Sequence, residues 1–244
     1  MLSSEDVETL AIRERLMRAV VPILLKADGD EPSIGCGTLF ERKGRKFLIT
    51  AAHIAEEIQS DELTIALGAH NSELWTPGYG NLAWANSHDI AVLELIDDRF
   101  FAEVERVNYR VFLSDDDVCT SGLENATVYL YGYPAEDTKL ETDQYSSTPT
   151  LITTSKYSGT PEGLKRHQTD EDLFLHWTSA PGKNLEGISG TAIWTVPPLS
   201  NLIWSAGALV CAVETSVAQD KWIRATRWTV VDAILRQHFG LVPI

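Results

Sequence analysis

The sequence predicts an all-β protein made of two six-stranded antiparallel β-barrels, with one additional helix at each end of the chain. Each half of the chain contains six short apolar or alternating runs separated by turn-forming residues, as expected of antiparallel strands that close into a barrel. The 244 residues are enough for two such barrels that share a cleft. The hydrophobic content of 44% suits a globular protein, and no stretch approaches the ~20 consecutive apolar residues of a membrane-spanning helix.

Residues 1–19 predict a helix that precedes the first barrel. Ser3 or Ser4 can cap its N terminus, and acidic residues follow in the first turn, where the helix dipole favours them. Its apolar residues recur at a loose helical spacing. We expect this helix either to pack over the first barrel or to serve in docking or regulation.

Residues 20–114 predict the first barrel. Turn sequences such as DGD at 28–30 and KGR at 43–45 separate its apolar runs. The six predicted strands are 20–25, 35–41, 46–51, 63–67, 82–84 and 90–95. We interpret residues 100–105 as a brief turn.

Residues 115–228 predict the second barrel, which an acidic linker joins to the first near residues 114–122. Its six predicted strands are 126–134, 150–157, 173–178, 191–196, 203–214 and 221–227. The polar residues 135–148 predict a loop. Residues 229–244 predict a C-terminal helix and tail, with Thr229 as the N-cap and Gly240 at the C-terminal end.

Three polar residues lie at the ends of predicted strands in a pattern that indicates nucleophilic catalysis. His53 ends the run FLITAAH, Asp89 precedes the run IAVLEL, and Ser189 lies in a turn between Gly187 and Gly190. A histidine can take the proton of a serine hydroxyl, and a carboxylate can fix the tautomer of that histidine and stabilise its cation. The two glycines allow a tight turn that exposes the serine and directs backbone N–H groups toward one point.

The segments around these residues, TAAH, DIAVL and GISG, resemble the signature blocks of trypsin-like serine peptidases, and they follow in the same order, His, Asp, Ser. The strand GCGTLF at 35–40 and the GYP turn at 132–134 are also similar to this family, closest in character to its bacterial and intracellular members. The resemblance covers residues 20–239 and implies a chymotrypsin-like fold.

The resemblance also implies an activity and roles for individual residues. The activity is that of a serine endopeptidase, which hydrolyses the peptide bonds of a protein substrate through an acyl-enzyme intermediate. His53 would be the general base, Asp89 the acid that orients it, and Ser189 the nucleophile. The backbone N–H groups of Gly187 and Ser189 would form the oxyanion hole.

Two departures from the digestive members of the family are visible in the sequence. The residue before the nucleophile is Ile188 instead of the aspartate that pairs with a freed N terminus, so the resemblance implies no such zymogen switch. Ile54 and Gly35 occupy the positions of the cysteine pair beside the catalytic histidine, so that disulfide cannot form.

The residues that would contact the substrate leave its identity open. Lys183, six residues before the nucleophile, stands where trypsins keep the charge that selects basic side chains, which would favour an acidic residue before the cleaved bond. Glu214 points to the opposite preference. It lies with Val213 and Thr215 in the stretch that would pair with the substrate backbone. Alternatively, the side chains of Lys183 and Glu214 both face solvent.

Composition excludes several other classes of function. A net charge of −15 with no basic patch argues against nucleic-acid binding. The five histidines other than His53 lack partners at ligand spacing, so we expect no metal and no cofactor. The acidic N terminus lacks a signal-peptide pattern, so either the protein is cytoplasmic or a targeting segment lies outside this sequence. Three cysteines without paired spacing favour the cytoplasm. We expect a protein or peptide substrate and no membrane association. A regulatory protein partner is also compatible with the sequence.

Two alternatives remain open. The chain could be a latent or inactive protease that binds peptides by adding a strand to a sheet edge. It could also be a non-peptidase acyl hydrolase with the same three residues. The turn GISG is followed by Thr191, which removes the second glycine of the nucleophile elbow and argues against a lipase-like hydrolase.

Overall fold

The computed structural model describes most of the chain. The described ranges are 4–25, 33–60, 62–68, 72–107, 110–120, 126–141, 144–159, 161–164, 166–178, 182–196 and 207–243. Strands outnumber helices among these residues and form two antiparallel sheets, which confirms the predicted all-β class. The helices are α1 (Ser4–Ala19), α2 (Ala52–Ser60), α3 (Asp98–Val107) and α4 (Trp228–Phe239). Within the described ranges, none of these helices is long and apolar enough to cross a bilayer.

The first half of the chain forms seven strands of one antiparallel sheet in the described structure. Its strands are β1 (Val20–Leu25), β2 (Ser33–Arg42), β3 (Arg45–Ala51), β4 (Thr64–Ala66), β5 (Ser72–Trp75), β6 (Tyr79–Ala85) and β7 (Ile90–Leu95). They are hydrogen-bonded in the order β6-β7-β3-β2-β1-β4-β5. The six predicted strands all overlap strands of this sheet, and β5 is an additional one.

The second half of the chain forms the other barrel. Its strands are β8 (Thr127–Gly132), β9 (Thr138–Glu141), β10 (Gln144–Ser147), β11 (Thr150–Ser155), β12 (Asp172–His176), β13 (Ala192–Thr195), β14 (Leu209–Ala218) and β15 (Trp222–Arg227). Six of them are paired in the order β11-β8-β13-β14-β15-β12. The N–H of Tyr157 donates to the carbonyl of Phe174 at 2.7 Å, which joins the two outermost strands of this sheet.

The described residues form three hydrophobic cores that stabilise this arrangement. Successive side chains of a strand point to opposite faces, so a strand can serve two cores. In β3, for example, Leu48 packs inside the first barrel, whereas Phe47 and Ile49 pack in the core shared with α1, α4 and the second barrel. A third core fills the second barrel. The shared core holds the two barrels against each other, and the predicted site lies at their junction.

The segment 135–148 was predicted to be a loop, and this was wrong. It contains the hairpin β9–β10, in which Tyr145 pairs with Ser72 of β5 and extends the first sheet to nine strands. The hairpin is polar except for the buried Tyr145 and the exposed Leu140. Its pairing with β5, rather than its own strand propensity, therefore decides its conformation.

The interpretation of residues 100–105 as a turn was also wrong, because they lie within α3. Phe100 and Val104 are buried at the helical spacing of four residues. The Asp97 carboxylate accepts a hydrogen bond from the N–H of Arg99 at 3.0 Å, as an N-cap does. Both signals are present in the sequence.

The predicted limits of the C-terminal helix were partly wrong. The helix α4 begins at Trp228, and the Thr229 hydroxyl donates to Glu171 instead of capping the helix. Gly240 ends the helix as predicted, with a φ of 69° and its N–H on the carbonyl of Leu235. The first part of the predicted strand 203–214 lies outside the described residues.

Candidate active site

His53 lies where strand β3 passes directly into helix α2. The N–H of Ala52 donates to the backbone carbonyl of Asp89 at 3.1 Å, which fixes the start of the helix against the β6–β7 turn. The imidazole of His53 is 44% exposed, so a substrate can reach it.

Asp89 contacts His53 through its carboxylate. One carboxylate oxygen accepts from the backbone N–H of His53 at 3.1 Å, and both oxygens lie close to Nδ1 of the ring, at 3.1 and 3.0 Å. A carboxylate on Nδ1 favours the tautomer with its proton there, which leaves Nε2 free to act as a base. Asp89 has a φ of 56°, a left-handed conformation that aspartate adopts more readily than most residues.

The second barrel supports the turn that carries Asp89. The hydroxyl of Thr226 in β15 donates to the carbonyl of His88 at 2.6 Å. The guanidinium of Arg166 donates to the carbonyl of Ser87. The position of Asp89 therefore depends on both barrels.

The environment of His53 favours its protonated form. Burial lowers the pKa of the imidazole, but the hydrogen bond and charge of Asp89, together with the charge of Glu57, outweigh this and raise the pKa above its ordinary value. A raised pKa is what a general base needs to accept a proton from a hydroxyl group.

The turn that carries Ser189 packs directly on β2 and β3 of the first barrel. The N–H of Cys36 donates to the carbonyl of Ser189 at 2.7 Å, and the Cys36 thiol donates to the carbonyl of Gly187 at 3.3 Å. Gly190 has a φ of 92°, and a Cβ there would lie 2.0 Å from the carbonyl oxygen of Cys36. A glycine is therefore required for the nucleophile turn to approach this closely.

Two backbone N–H groups of this turn have no acceptor among the described residues. They are those of Gly187 and Ser189, the predicted oxyanion hole, whereas the N–H groups of Ile188 and Gly190 donate to the carbonyls of Leu185 and Glu214. Gly187 has a φ of 93° and no room for a side chain, because a Cβ would lie 2.9 Å from the nitrogen of Ala135. Unpaired donors in a fixed turn can bind a developing oxyanion.

The structure therefore brings His53, Asp89 and the Ser189 turn to one junction between the barrels. The Ser189 side chain is partly exposed. Its hydroxyl makes no hydrogen bond to His53 in the described part of the chain. Such bonds are often long or poorly aligned in a protein without substrate and shorten when substrate binds.

The structure places the predicted substrate-binding residues differently from one another. Lys183 is partly exposed and its Nζ lies 2.8 Å from Asp137 and 3.7 Å from Glu136, so these carboxylates raise its pKa and neutralise its charge. In contrast, the side chains of Val213, Glu214 and Thr215 are buried. The sequence left open that the side chains of Lys183 and Glu214 both face solvent. The burial of Glu214 is inconsistent with that alternative for this residue.

The burial of Glu214 next to the site changes its chemistry. Removal from water raises the pKa of this carboxyl to about 8, with a smaller contribution from the negative charge of Asp89. His53 and the nearby Ser189 hydroxyl lower the pKa of Glu214, but by less than burial raises it. Glu214 therefore carries its proton at neutral pH.

Sequence analysis did not predict the contribution of Cys36. Its only signal was its position in the strand GCGTLF, which resembles the family but does not reveal the contact with the nucleophile turn. Burial raises the pKa of its thiol to about 12, so Cys36 acts here as a neutral hydrogen-bond donor. In the part of the chain that the structure describes, no group of three His, Cys, Asp or Glu side chains could hold a metal ion.

Comparison with solved structures identifies the fold. The crystal structure of Deg5 is similar with a TM-score of 0.60 and 13% identity, covering 98% of both chains. The apo form of the MamO protease domain from Magnetospirillum magneticum is similar with a TM-score of 0.56 and 14% identity, covering 89% of this chain and 96% of that one. No protein-family model and no curated protein sequence matches the chain.

These identities are low, so the likeness establishes the fold alone. The chain has the two-barrel fold of trypsin-like serine peptidases. Its function has to be argued from the residues of its own site.

Proposed function

We propose that the chain is a serine endopeptidase that hydrolyses peptide bonds through His53, Asp89 and Ser189. The observation that carries this proposal is the pair formed by Asp89 and Nδ1 of His53 at 3.0 Å, next to a serine turn with two unpaired N–H groups. In this geometry a base, the group that orients it, a nucleophile and oxyanion donors occupy one cleft, as acyl transfer requires.

The reaction proceeds in two steps. Nε2 of His53 takes the proton of Ser189 as its oxygen attacks the substrate carbonyl, and Asp89 stabilises the resulting imidazolium. The N–H groups of Gly187 and Ser189 hold the oxyanion, and each such donor lowers the barrier by about 3 kcal/mol in known enzymes. His53 then gives the proton to the leaving amine. Water hydrolyses the acyl-enzyme by the same route.

The edge of β14 supports a peptide substrate rather than a small ester. Strand β13 pairs with β14 as far as Val213, so residues 215–218 have a strand neighbour on one side, β15, in the described structure. An extended peptide can bind to such an edge by strand addition. This edge begins one residue after Glu214, whose carbonyl accepts from Gly190 of the nucleophile turn at 2.9 Å.

Cysteine chemistry supports a cytoplasmic location within this proposal. Cys36 and Cys211 carry free thiols and are buried. Free thiols are usual in a reducing compartment. The acidic surface favours basic peptide segments or partners during encounter.

A latent enzyme is the second candidate, and one observation favours it. The Ser189 hydroxyl lacks a hydrogen bond to His53, so the nucleophile is not engaged in the described structure. In a latent enzyme, a substrate or a regulatory protein would bring these two side chains together. In that case the chain would bind peptides but cleave them only in the presence of the partner.

A peptide library and a small ester distinguish the proposed reaction from its alternatives. We expect the wild-type protein to cleave internal peptide bonds, and Ser189→Ala and His53→Ala to have lost this activity by at least about a thousandfold. Hydrolysis of p-nitrophenyl acetate without any peptide cleavage would instead indicate a non-peptidase acyl hydrolase. Peptide binding without either reaction would indicate the latent or binding module.

A further inference from the structure

Glu214 is held firmly beside the nucleophile turn by its backbone, yet its carboxyl group lacks a well-aligned hydrogen bond. Its backbone carbonyl accepts from Gly190, and its N–H donates to the carbonyl of Thr191 at 2.8 Å. The residue is completely buried, and among the described residues neither carboxyl oxygen has a hydrogen bond of acceptable geometry. A buried polar group without a partner is rare and usually has a functional explanation.

The groups around this carboxyl come from four different elements. They are His53 of α2, Asp89 of the β6–β7 turn, Ser189 of the nucleophile turn and Cys36 of β2. No Lys or Arg side chain of the described structure forms an ion pair with Glu214. Among the described groups that shift the pKa of Glu214, His53 is the one that can carry a positive charge.

An isolated carboxylate cannot remain charged in this environment. Burial strongly disfavours the anion, and a second carboxylate nearby disfavours it further. Asp89 is paired with Nδ1 of His53, whereas the Glu214 carboxyl has no ion-pair partner among the described residues. Glu214 therefore keeps its proton, in agreement with its raised pKa.

We propose that Glu214 is a positioning residue of the site, which remains a neutral acid and directs the Ser189 hydroxyl proton toward His53. As a neutral acid, Glu214 can donate to the Ser189 oxygen, and the hydroxyl proton is then free to point to Nε2 of His53. As an anion, Glu214 would accept that proton and compete with His53. This inference rests on the proposed function of Ser189 as a nucleophile.

A loss of reactivity at alkaline pH follows from this role. The carboxyl ionises above a pKa of about 8, and each further pH unit then lowers the fraction of the neutral form tenfold. At pH 9.5 we expect wild-type Ser189 to react with a fluorophosphonate about 30-fold more slowly than at pH 7. The variant Glu214→Gln carries a neutral amide of the same shape, so it should keep the rate of pH 7 and show no alkaline loss.

The control variant is Glu186→Gln. Glu186 belongs to the same turn but is exposed, and its N–H donates to the side chain of Asn184 at 2.9 Å. Its replacement removes one negative charge from the same region, and it should leave the wild-type pH profile unchanged. Identical pH profiles for wild type and Glu214→Gln would overturn the inference. So would a loss of labelling at pH 7 in Glu214→Gln alone.

A second readout does not depend on activity. In a proton NMR titration, the C2–H resonance of His53 should show two inflections in the wild type, one of them near pH 8 from Glu214. Glu214→Gln should show only the inflection of His53 itself. If no variant reacts with the fluorophosphonate, the proposed peptidase reaction fails, but the titration still tests Glu214. A wild-type titration with a single inflection overturns the inference whether or not the protein is active.

Discussion

Gly190→Ala tests the close contact between the nucleophile turn and the first barrel. The added Cβ would lie 2.0 Å from the carbonyl oxygen of Cys36 and 2.3 Å from the hydroxyl oxygen of Thr50. It would also impose on alanine a φ of 92°, which L-residues rarely adopt. The turn and strand β2 would therefore have to separate, although both are fixed within their own barrels.

The expected destabilisation has two parts. A positive φ costs alanine about 1–2 kcal/mol. Forcing an additional methyl group into a packed contact costs about 1–3 kcal/mol more. We therefore expect Gly190→Ala to lower the free energy of unfolding by about 2–5 kcal/mol. Because the same shift moves Ser189 away from His53, labelling by a fluorophosphonate should fall by at least about a hundredfold.

The matched control is Gly44→Ala. Gly44 has a φ of 75°, but no atom lies within 4 Å of a Cβ built there. This variant should show the backbone part alone, about 1–2 kcal/mol in urea denaturation followed by tryptophan fluorescence, with normal labelling. Equal stability of the two variants, together with wild-type labelling in Gly190→Ala, would refute the tight contact.

Three further predictions concern charged side chains. The buried side chain of Arg224 lies 2.6 Å from the carboxylate of Asp172. Asp172→Ala removes this ion-pair partner and should lower the free energy of unfolding by about 3–5 kcal/mol in urea denaturation. A decrease below about 1 kcal/mol would argue against a buried ion pair. Because the pKa of Glu214 is raised from 4.5 to about 8 in the folded protein, the free energy of unfolding should fall as pH rises through this range. The decrease is about 1.4 kcal/mol per pH unit and up to about 5 kcal/mol in total. Thermal melts should show this slope in the wild type but not in Glu214→Gln. Lys183→Met should change stability by less than about 1 kcal/mol because the lysine is partly exposed, and a reversal of cleavage preference in this variant would contradict the neutralisation of Lys183 by Asp137.

The sequence predicted most of the strands and the segments that bring His53, Asp89 and Ser189 to one junction between the barrels. His53 and Asp89 adjoin apolar strands whose period and flanking turns are local features, so their positions at strand ends could be predicted. The order of the blocks then indicated that these residues and Ser189 act together. The structure places His53 and Asp89 in direct contact and brings the Ser189 turn to the same cleft.

Features that depend on tertiary contacts could not be predicted in this way. The hairpin β9–β10 is polar, and only its pairing with β5 makes it a strand pair. The burial of Glu214 could not be predicted, because it depends in part on His53 and Asp89, which lie more than a hundred residues away in the sequence. The role of Cys36 likewise depends on a turn 151 residues downstream. Helix α3 is different. Its apolar spacing and its N-cap are both visible in the sequence, but the segment was interpreted as a turn.

Stoichiometric labelling by a fluorophosphonate is the most direct test of the central claim that His53, Asp89 and Ser189 form a working nucleophilic site. We expect one equivalent to react with the purified protein at pH 7, mass spectrometry to locate it on Ser189, and both Ser189→Ala and His53→Ala to remain unlabelled. Modification of a different residue, or equal labelling of the His53→Ala variant, would contradict this account of the site.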